Sequence, residues 1–211
     1  MIYVTVPGDT VSSISRQSGV PVWKIIYDNQ LGEEGELTVG QALLLLKPQE
    51  SAEIREDLYV TGYAYPFIEP YVLEMAFPAL NELLVFSYGF TFEGELVPPI
   101  QDETWMIQLA WENGIEPMLV LTPFTQGVFN NQLIQTLVEE ESVRENVITN
   151  LLKVVEEKGY VGVDVDFEYV RAQNREGYAE FVGELRAAMN EKGYRVSVAL
   201  APKTSSDQKG L

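Results

Sequence analysis

The sequence predicts an α/β protein in which a small β-α-α-β unit precedes a series of parallel β-α units. Three observations predict it. The first 48 residues begin with an alternating β-branched run, end with a short apolar run, and hold two cap-punctuated helical stretches between them. Beyond residue 57, near-continuous apolar segments of strand length alternate with amphipathic helical patterns, as in strands covered on both faces. One of the later segments, residues 162–169, places an acidic side chain at every second position.

Taken in order, Ile2-Tyr3-Val4-Thr5-Val6 alternates like a strand. Pro7-Gly8-Asp9-Thr10 supplies a turn and a side-chain cap for a helix over 11–18, and Gly19 stops that helix. Pro21 suits the first turn of a second helix over 22–29. A glycine-rich stretch, 31–40, leads into an apolar strand over 42–46. Residues 49–57 are polar and acidic without apolar periodicity, which predicts a linker between a first domain, 1–48, and a second, 58–211. In the second domain the predicted strands are 58–65, 83–90, 115–122, 160–167 and 194–201. The predicted helices are 103–113, 132–158 in two pieces, and 174–192. Both a barrel and a doubly wound sheet fit this alternation. No glycine-rich phosphate fingerprint follows any strand, which weighs against a nucleotide-binding fold.

Composition narrows the chemistry. The chain contains no cysteine, so disulfides and thiolate metal sites are excluded. It contains no histidine either, which leaves acid–base work to carboxylates, Tyr or Lys. The formal net charge of −18 opposes phosphate backbones and predicts no nucleic-acid partner. Residues 1–48 carry five acidic and three basic side chains, a balance of −2, so the other −16 falls on the remainder. No apolar run approaches the roughly 18 residues of a membrane span, so no membrane insertion is expected. The opening MIYVTVPGDT has neither the basic start nor the apolar core of a secretory signal.

The chemistry concentrates in Gly162-Val163-Asp164-Val165-Asp166-Phe167-Glu168-Tyr169. In a strand, residues i, i+2 and i+4 share a face, so Asp164, Asp166 and Glu168 line up at the C-terminal end of a parallel strand. Crowded carboxylates repel one another and resist desolvation, which raises at least one pKa and keeps a proton for general acid catalysis. A carboxylate cluster also suits Mg²⁺ or Ca²⁺, and a solvated acidic strand end needs no function at all.

Two resemblances follow from quoted residues. Tyr3-Val4-Thr5-Val6-Pro7-Gly8-Asp9-Thr10, Ile14, Gly19-Val20-Pro21, Asp28-Asn29 and Val39-Gly40-Gln41-Ala42-Leu43 resemble a LysM module over the whole first domain. The resemblance implies binding of N-acetylglucosamine-containing glycans, chitin or peptidoglycan, through Gly8, Asp9, Thr10, Asn29, Gln30 and Leu31. The acidic strand resembles the Asp-x-x-Asp-x-Asp-x-Glu signature of glycoside hydrolase family 18, with Val161 in place of the first Asp. Gly62-Tyr63-Ala64-Tyr65-Pro66-Phe67, Phe86-Ser87-Tyr88-Gly89-Phe90 and Val198-Ala199-Leu200-Ala201-Pro202-Lys203 are similar to bacterial spore cortex-fragment-lytic N-acetylglucosaminidases.

This second resemblance implies an incomplete TIM (β/α)8-type barrel with about five β-α units. It also implies a substrate-assisted retaining glycosidase that needs no cofactor and no metal. Glu168 is then the proton donor, Asp166 orients the substrate acetamido group, and Asp164 tunes Asp166; Tyr65, Phe67, Tyr88 and Phe90 are candidate pocket walls. The implied place of action is the spore coat, the cortex or the cell wall. The family's sixth-strand Met-Thr-Tyr motif and late-barrel Trp are absent, so the chain reads as a truncated barrel, inactive by itself. Three classes of function therefore stand: a glycan hydrolase, a non-catalytic glycan-binding protein, and a metal-dependent enzyme.

Overall fold

The computed structural model describes residues 1–32, 35–47, 58–125, 128–168 and 170–200. The chain divides into two units, Met1–Asp57 and Leu58–Leu211. The predicted linker at 49–57 lies outside the described residues.

The first unit runs β1 (Ile2–Val4), α1 (Val11–Ser18), α2 (Val22–Asp28) and β2 (Ala42–Leu44), with β1 antiparallel to β2. Thr10 starts α1: its hydroxyl accepts from the Ser13 N–H at 3.0 Å, and Ser13 Oγ accepts from the Thr10 N–H at 2.9 Å. This reciprocal box satisfies two N–H groups that the helix itself leaves free. Gly19 ends the helix at φ 75°, where a side chain would be strained. Val11, Ile14, Val20, Ile25, Leu43 and Leu45 form the small core. Asn29 ties the end of α2 to β2, because its amide donates to the Ile25 and Leu44 carbonyls at 2.9 Å each and accepts from the Leu44 N–H at 2.6 Å.

The second unit opens with β3 (Thr61–Ala64), α3 (Pro70–Ala76) and a 3₁₀ turn (Phe77–Ala79). The chain then forms β4 (Glu82–Phe90), β5 (Leu96–Val97), α4 (Thr104–Glu112) and β6 (Glu116–Leu121). A hairpin of β7 (Phe124–Thr125) and β8 (Val128–Phe129) follows, then α5 (Asn131–Glu139) and α6 (Glu141–Lys158). The described chain closes with β9 (Gly162–Val165), a 3₁₀ turn (Ala172–Asn174), α7 (Arg175–Glu191) and β10 (Arg195–Val198). Strands β3, β4, β6, β9 and β10 are parallel and lie side by side in chain order. Among the described residues the sheet does not close into a barrel. The class is nonetheless the α/β class predicted, with a mostly parallel sheet.

Both faces of the sheet carry buried apolar residues, which is why the strands read as near-continuous hydrophobic runs. Leu83, Val85, Leu119, Leu121, Val163 and Val165 belong to the large core, together with buried residues of α3 to α7. Leu84, Met118 and Val120 form a separate cluster, with Phe86 and Val161 packed against it. Val161, at the position of the missing acid, thus packs against apolar neighbours. The helix α3 went unpredicted, since only Leu73 is buried on it while Tyr71 and Met75 are exposed. The β7–β8 hairpin rests on β4 through Gly89, where any Cβ would lie 1.8 Å from the Phe124 carbonyl oxygen.

At the N-terminal ends of the strands, Arg195 Nη2 binds Glu82 Oε1 at 2.8 Å and Glu116 Oε2 at 2.7 Å, and Tyr59 Oη donates to Glu116 at 2.9 Å. A hollow of about 420 Å³ lined by Trp111, Glu116, Tyr160 and Arg195 sits at this end. In barrels, features at this end serve stability, whereas chemistry belongs to the opposite rim.

Candidate active site

Strand β9 carries the acidic row toward the C-terminal rim. Alternate residues Val163, Val165 and Phe167 are buried in the large core. Phe167 lies between Phe90 (5.9 Å), Phe181 (6.0 Å) and Tyr178 (5.6 Å), measured between ring centroids. Those rings fix the backbone beyond the strand, and the Asp166 N–H continues the ladder by donating to the Leu121 carbonyl at 2.9 Å. The alternation assigns Asp164, Asp166 and Glu168 to the other face. Their exposure rises along the row: Asp164 is buried, Asp166 half-buried and Glu168 exposed.

Each position in that gradient has its own electrostatics. Asp164 accepts from Tyr63 Oη on Oδ2 at 2.8 Å and from Ser197 Oγ on Oδ1 at 2.5 Å. Burial first, then the charges of Glu168 and Asp164, lift the Asp166 carboxyl above the ordinary aspartate range. Burial, followed by the bond to Asp164, pushes the Tyr63 phenol up, so it stays protonated as a donor. The Tyr178 hydroxyl is buried and unpartnered among the described residues; burial and the charges of Asp164 and Asp166 raise its pKa. Among the described residues, no three acidic side chains are grouped to hold a metal ion.

An aromatic series extends from Tyr63 to solvent. Tyr63 meets Phe86 edge-on at 6.2 Å, Phe86 meets Tyr65 at 4.8 Å, and Tyr65 stacks on Phe67 at 4.9 Å and 19°. Tyr65 and Phe67 are 47% and 67% exposed, open to a ligand. Tyr88 and Phe90 are not. Both are buried in the large core, Tyr88 donating to Glu103 Oε1 at 2.5 Å and Phe90 stacked near Phe167. The reason is a register shift between Val85 and Tyr88, which breaks the alternation. Leu84 and Phe86 pack in one cluster, while Tyr88 and Phe90 pack in the other. The expectation that Tyr88 and Phe90 line a pocket is therefore corrected, and of the rings of this strand it is Phe86 that meets Tyr63 and Tyr65.

Sequence reasoning also missed Tyr63 and Ser197. Tyr63 stands in a quoted motif, but its reach to Asp164 crosses two intervening strands. Ser197 was visible only as one small residue in an apolar run.

In the first unit, Asp9 Oδ2 accepts from Tyr3 Oη and from the Val6 N–H, both at 2.8 Å, and shapes the turn after β1. Thr10 caps α1, and the Asn29 amide is spent on β2. Leu31 packs against the core. Gly8 at φ 92° leaves open space where a side chain would be, and Gln30 is exposed at φ 50°. Of the six residues expected to hold a glycan, Gly8, Thr10 and Gln30 are the exposed ones, and Asp9, Asn29 and Leu31 are half-buried.

Comparison with known proteins shows what the two parts of the chain are similar to. Residues 127–210 match the family described as Glycosyl hydrolases family 18, and residues 3–45 match the LysM domain. The resemblance to a LysM module and to glycoside hydrolase family 18, read from the quoted residues, is therefore borne out. Among particular relatives, the cortical fragment-lytic enzyme of Bacillus subtilis (strain 168) is 32% identical over 136 residues, 64% of this chain and 31% of that protein. The crystal structure of the Bacillus megaterium QM B1551 spore cortex-lytic enzyme SleL superposes with a TM-score of 0.66 at 26% identity. That alignment covers 99% of this chain and 49% of SleL. A class V chitinase from Pseudomonas fluorescens Pf-5 shares the fold, with a TM-score of 0.66 at 21% identity over 71% of this chain and 47% of that one. The chain spans less than half the length of each of these relatives.

Proposed function

We propose that the protein hydrolyses N-acetylglucosamine-containing glycans of the peptidoglycan or chitin type, acting on spore cortex or cell-wall fragments. The observation that carries this reading is the graded carboxylate row at the C-terminal end of β9, to which the open aromatic pair Tyr65–Phe67 is linked through Phe86 and Tyr63. Exposed Glu168 gives its proton to the glycosidic oxygen as the bond to the anomeric carbon breaks. The substrate's acetamido carbonyl oxygen attacks that carbon and forms an oxazolinium ion. Asp166 accepts from the acetamido N–H and, through a proton shared with Asp164, gains negative charge as the oxazolinium develops. Water then attacks the anomeric carbon, returns a proton to Glu168 and releases the retained product. No metal and no cofactor enters the scheme.

Residues 1–48 serve as the LysM glycan-binding domain and 58–211 as the catalytic part, joined through 49–57. The LysM unit holds polymer through the backbone around Gly8-Asp9-Thr10 and Gln30-Leu31, since the Asp9 and Asn29 side chains are committed internally. A second reading, a glycan-binding protein without turnover, is favoured by the sheet, which among the described residues has open edges at β3 and β10. The two readings combine if these 211 residues bind glycan and hydrolyse it little. Assaying release of reducing ends from cortex fragments separates them: turnover supports the first, and binding without turnover supports the second.

A further inference from the structure

The hollow of about 420 Å³ at the N-terminal ends of the strands lies at the other end of the sheet from the acidic row. Its volume falls within the roughly 300–1,000 Å³ of small-ligand sites. Two tight turns form its rim, through Gly159 at φ 80° and Gly193 at φ 81°, conformations that other residues adopt only with strain. Trp111, near the end of α4, is 49% exposed, yet its ring is held: the indole N–H donates to the Gly159 carbonyl at 2.9 Å. An indole whose polar atom is already bonded offers the rest of its surface as an apolar platform. A platform fixed in place loses little entropy when a ligand meets it. Val155, Val161 and Tyr194 widen the apolar surface.

The polar lining selects among ligands. Glu116 and Glu156 bring two carboxylates against the single guanidinium of Arg195, whose Nη2 is already bound to Glu82 and Glu116. The nearby C-terminal ends of α4 and α6 add partial negative charge. An anion is therefore repelled, whereas hydroxyl and amide N–H donors find acceptors. An uncharged sugar ring answers both halves of the lining, because its C–H face is apolar and its rim carries hydroxyl donors. We propose that this hollow is a glycan-holding site, in which one uncharged sugar unit lays its C–H face on Trp111 and directs its hydroxyls to Glu116 and Glu156. The choice of a glycan rests on the glycosidase reading, while the shape and charge of the hollow do not. Away from the acidic row, the site holds a chain without cleaving it.

The test is an NMR titration of the 211-residue chain with N-acetylglucosamine oligomers, read at the Trp111 indole N–H and at the Gly193 and Tyr194 amides. These resonances should move and saturate in the millimolar range. Trp111→Ala should abolish the Gly193 and Tyr194 shifts while those of Gly8 and Gln30 in the LysM unit persist. Wild-type resonances of the hollow that stay fixed at millimolar oligomer would overturn the proposal, whether or not Gly8 and Gln30 move. So would a response to free lysine without one to the oligomers, which would reassign the hollow to an ammonium ligand. Failure of the glycosidase reading looks different: absence of cortex-fragment hydrolysis removes that reading, yet leaves a saturable Trp111 shift in support of this site.

Discussion

Tyr63 on β3 donates to Asp164 on β9 across 2.8 Å, although β4 and β6 stand between those strands in the sheet. Only a curled sheet lets side chains meet across two strands, and Arg195 makes a second such crossing when it reaches Glu82 on β4 from β10. The curl brings the quoted Gly62-Tyr63 segment and the acidic strand to one interior. Tyr63→Phe keeps the ring and removes the donor from a buried carboxylate. Loss of that charge-assisted bond should cost about 1–3 kcal/mol at neutral pH, measured by urea denaturation. An unchanged midpoint would mean the bond contributes nothing in solution.

Asp166 should trade stability for chemistry. Its folded carboxyl holds a proton at pH values where the unfolded side chain has lost it. Stability from the protonated form is complete below the unfolded value and is lost as pH rises through the folded one. Asp166→Asn removes this penalty, so the variant should be more stable than wild type at neutral pH, with the gap closing in acid. Thermal unfolding at several pH values checks the sign, and a variant less stable at neutral pH would contradict it.

The corrected aromatic assignments separate by readout. Phe90→Ala should lose about 3–5 kcal/mol of stability, because a fully buried ring leaves a cavity. Tyr65→Ala and Phe67→Ala should change stability little, since both rings are exposed, and should instead weaken glycan binding. Paired denaturation and binding measurements distinguish the two classes of site.

For the LysM unit, titrating the chain with N-acetylglucosamine oligomers should move the amide resonances of Gly8, Thr10, Gln30 and Leu31. Asn29→Ala should destabilise this unit by about 1–3 kcal/mol, since two backbone carbonyls and one N–H lose their partner. Unmoved resonances at millimolar oligomer would remove the binding assignment.

Local signals were the legible ones. Thr10 and Gly19 marked α1 to the residue, because a cap and a left-handed stop are written in the residues that form them. The break predicted within 132–158 falls at Glu140, between α5 and α6. The register shift after Val85 was not legible, since its two sides show the same apolar and aromatic residue types, and it reversed the placement of Tyr88 and Phe90. Partners of Asp164 were hidden for another reason: Tyr63 lies 101 residues away, and only sheet curvature brings it close. The acidic row itself was plain, because a two-residue period needs no tertiary information.

Everything in the proposed mechanism passes through the proton on Glu168. Glu168→Gln preserves shape and removes that proton, so hydrolysis of cortex glycan by the protein is the most direct measurement. General acid–base catalysis typically contributes about 10²–10⁴-fold, and the variant should lose at least that much while LysM-mediated glycan binding stays intact. Turnover equal to wild type in Glu168→Gln would contradict the account.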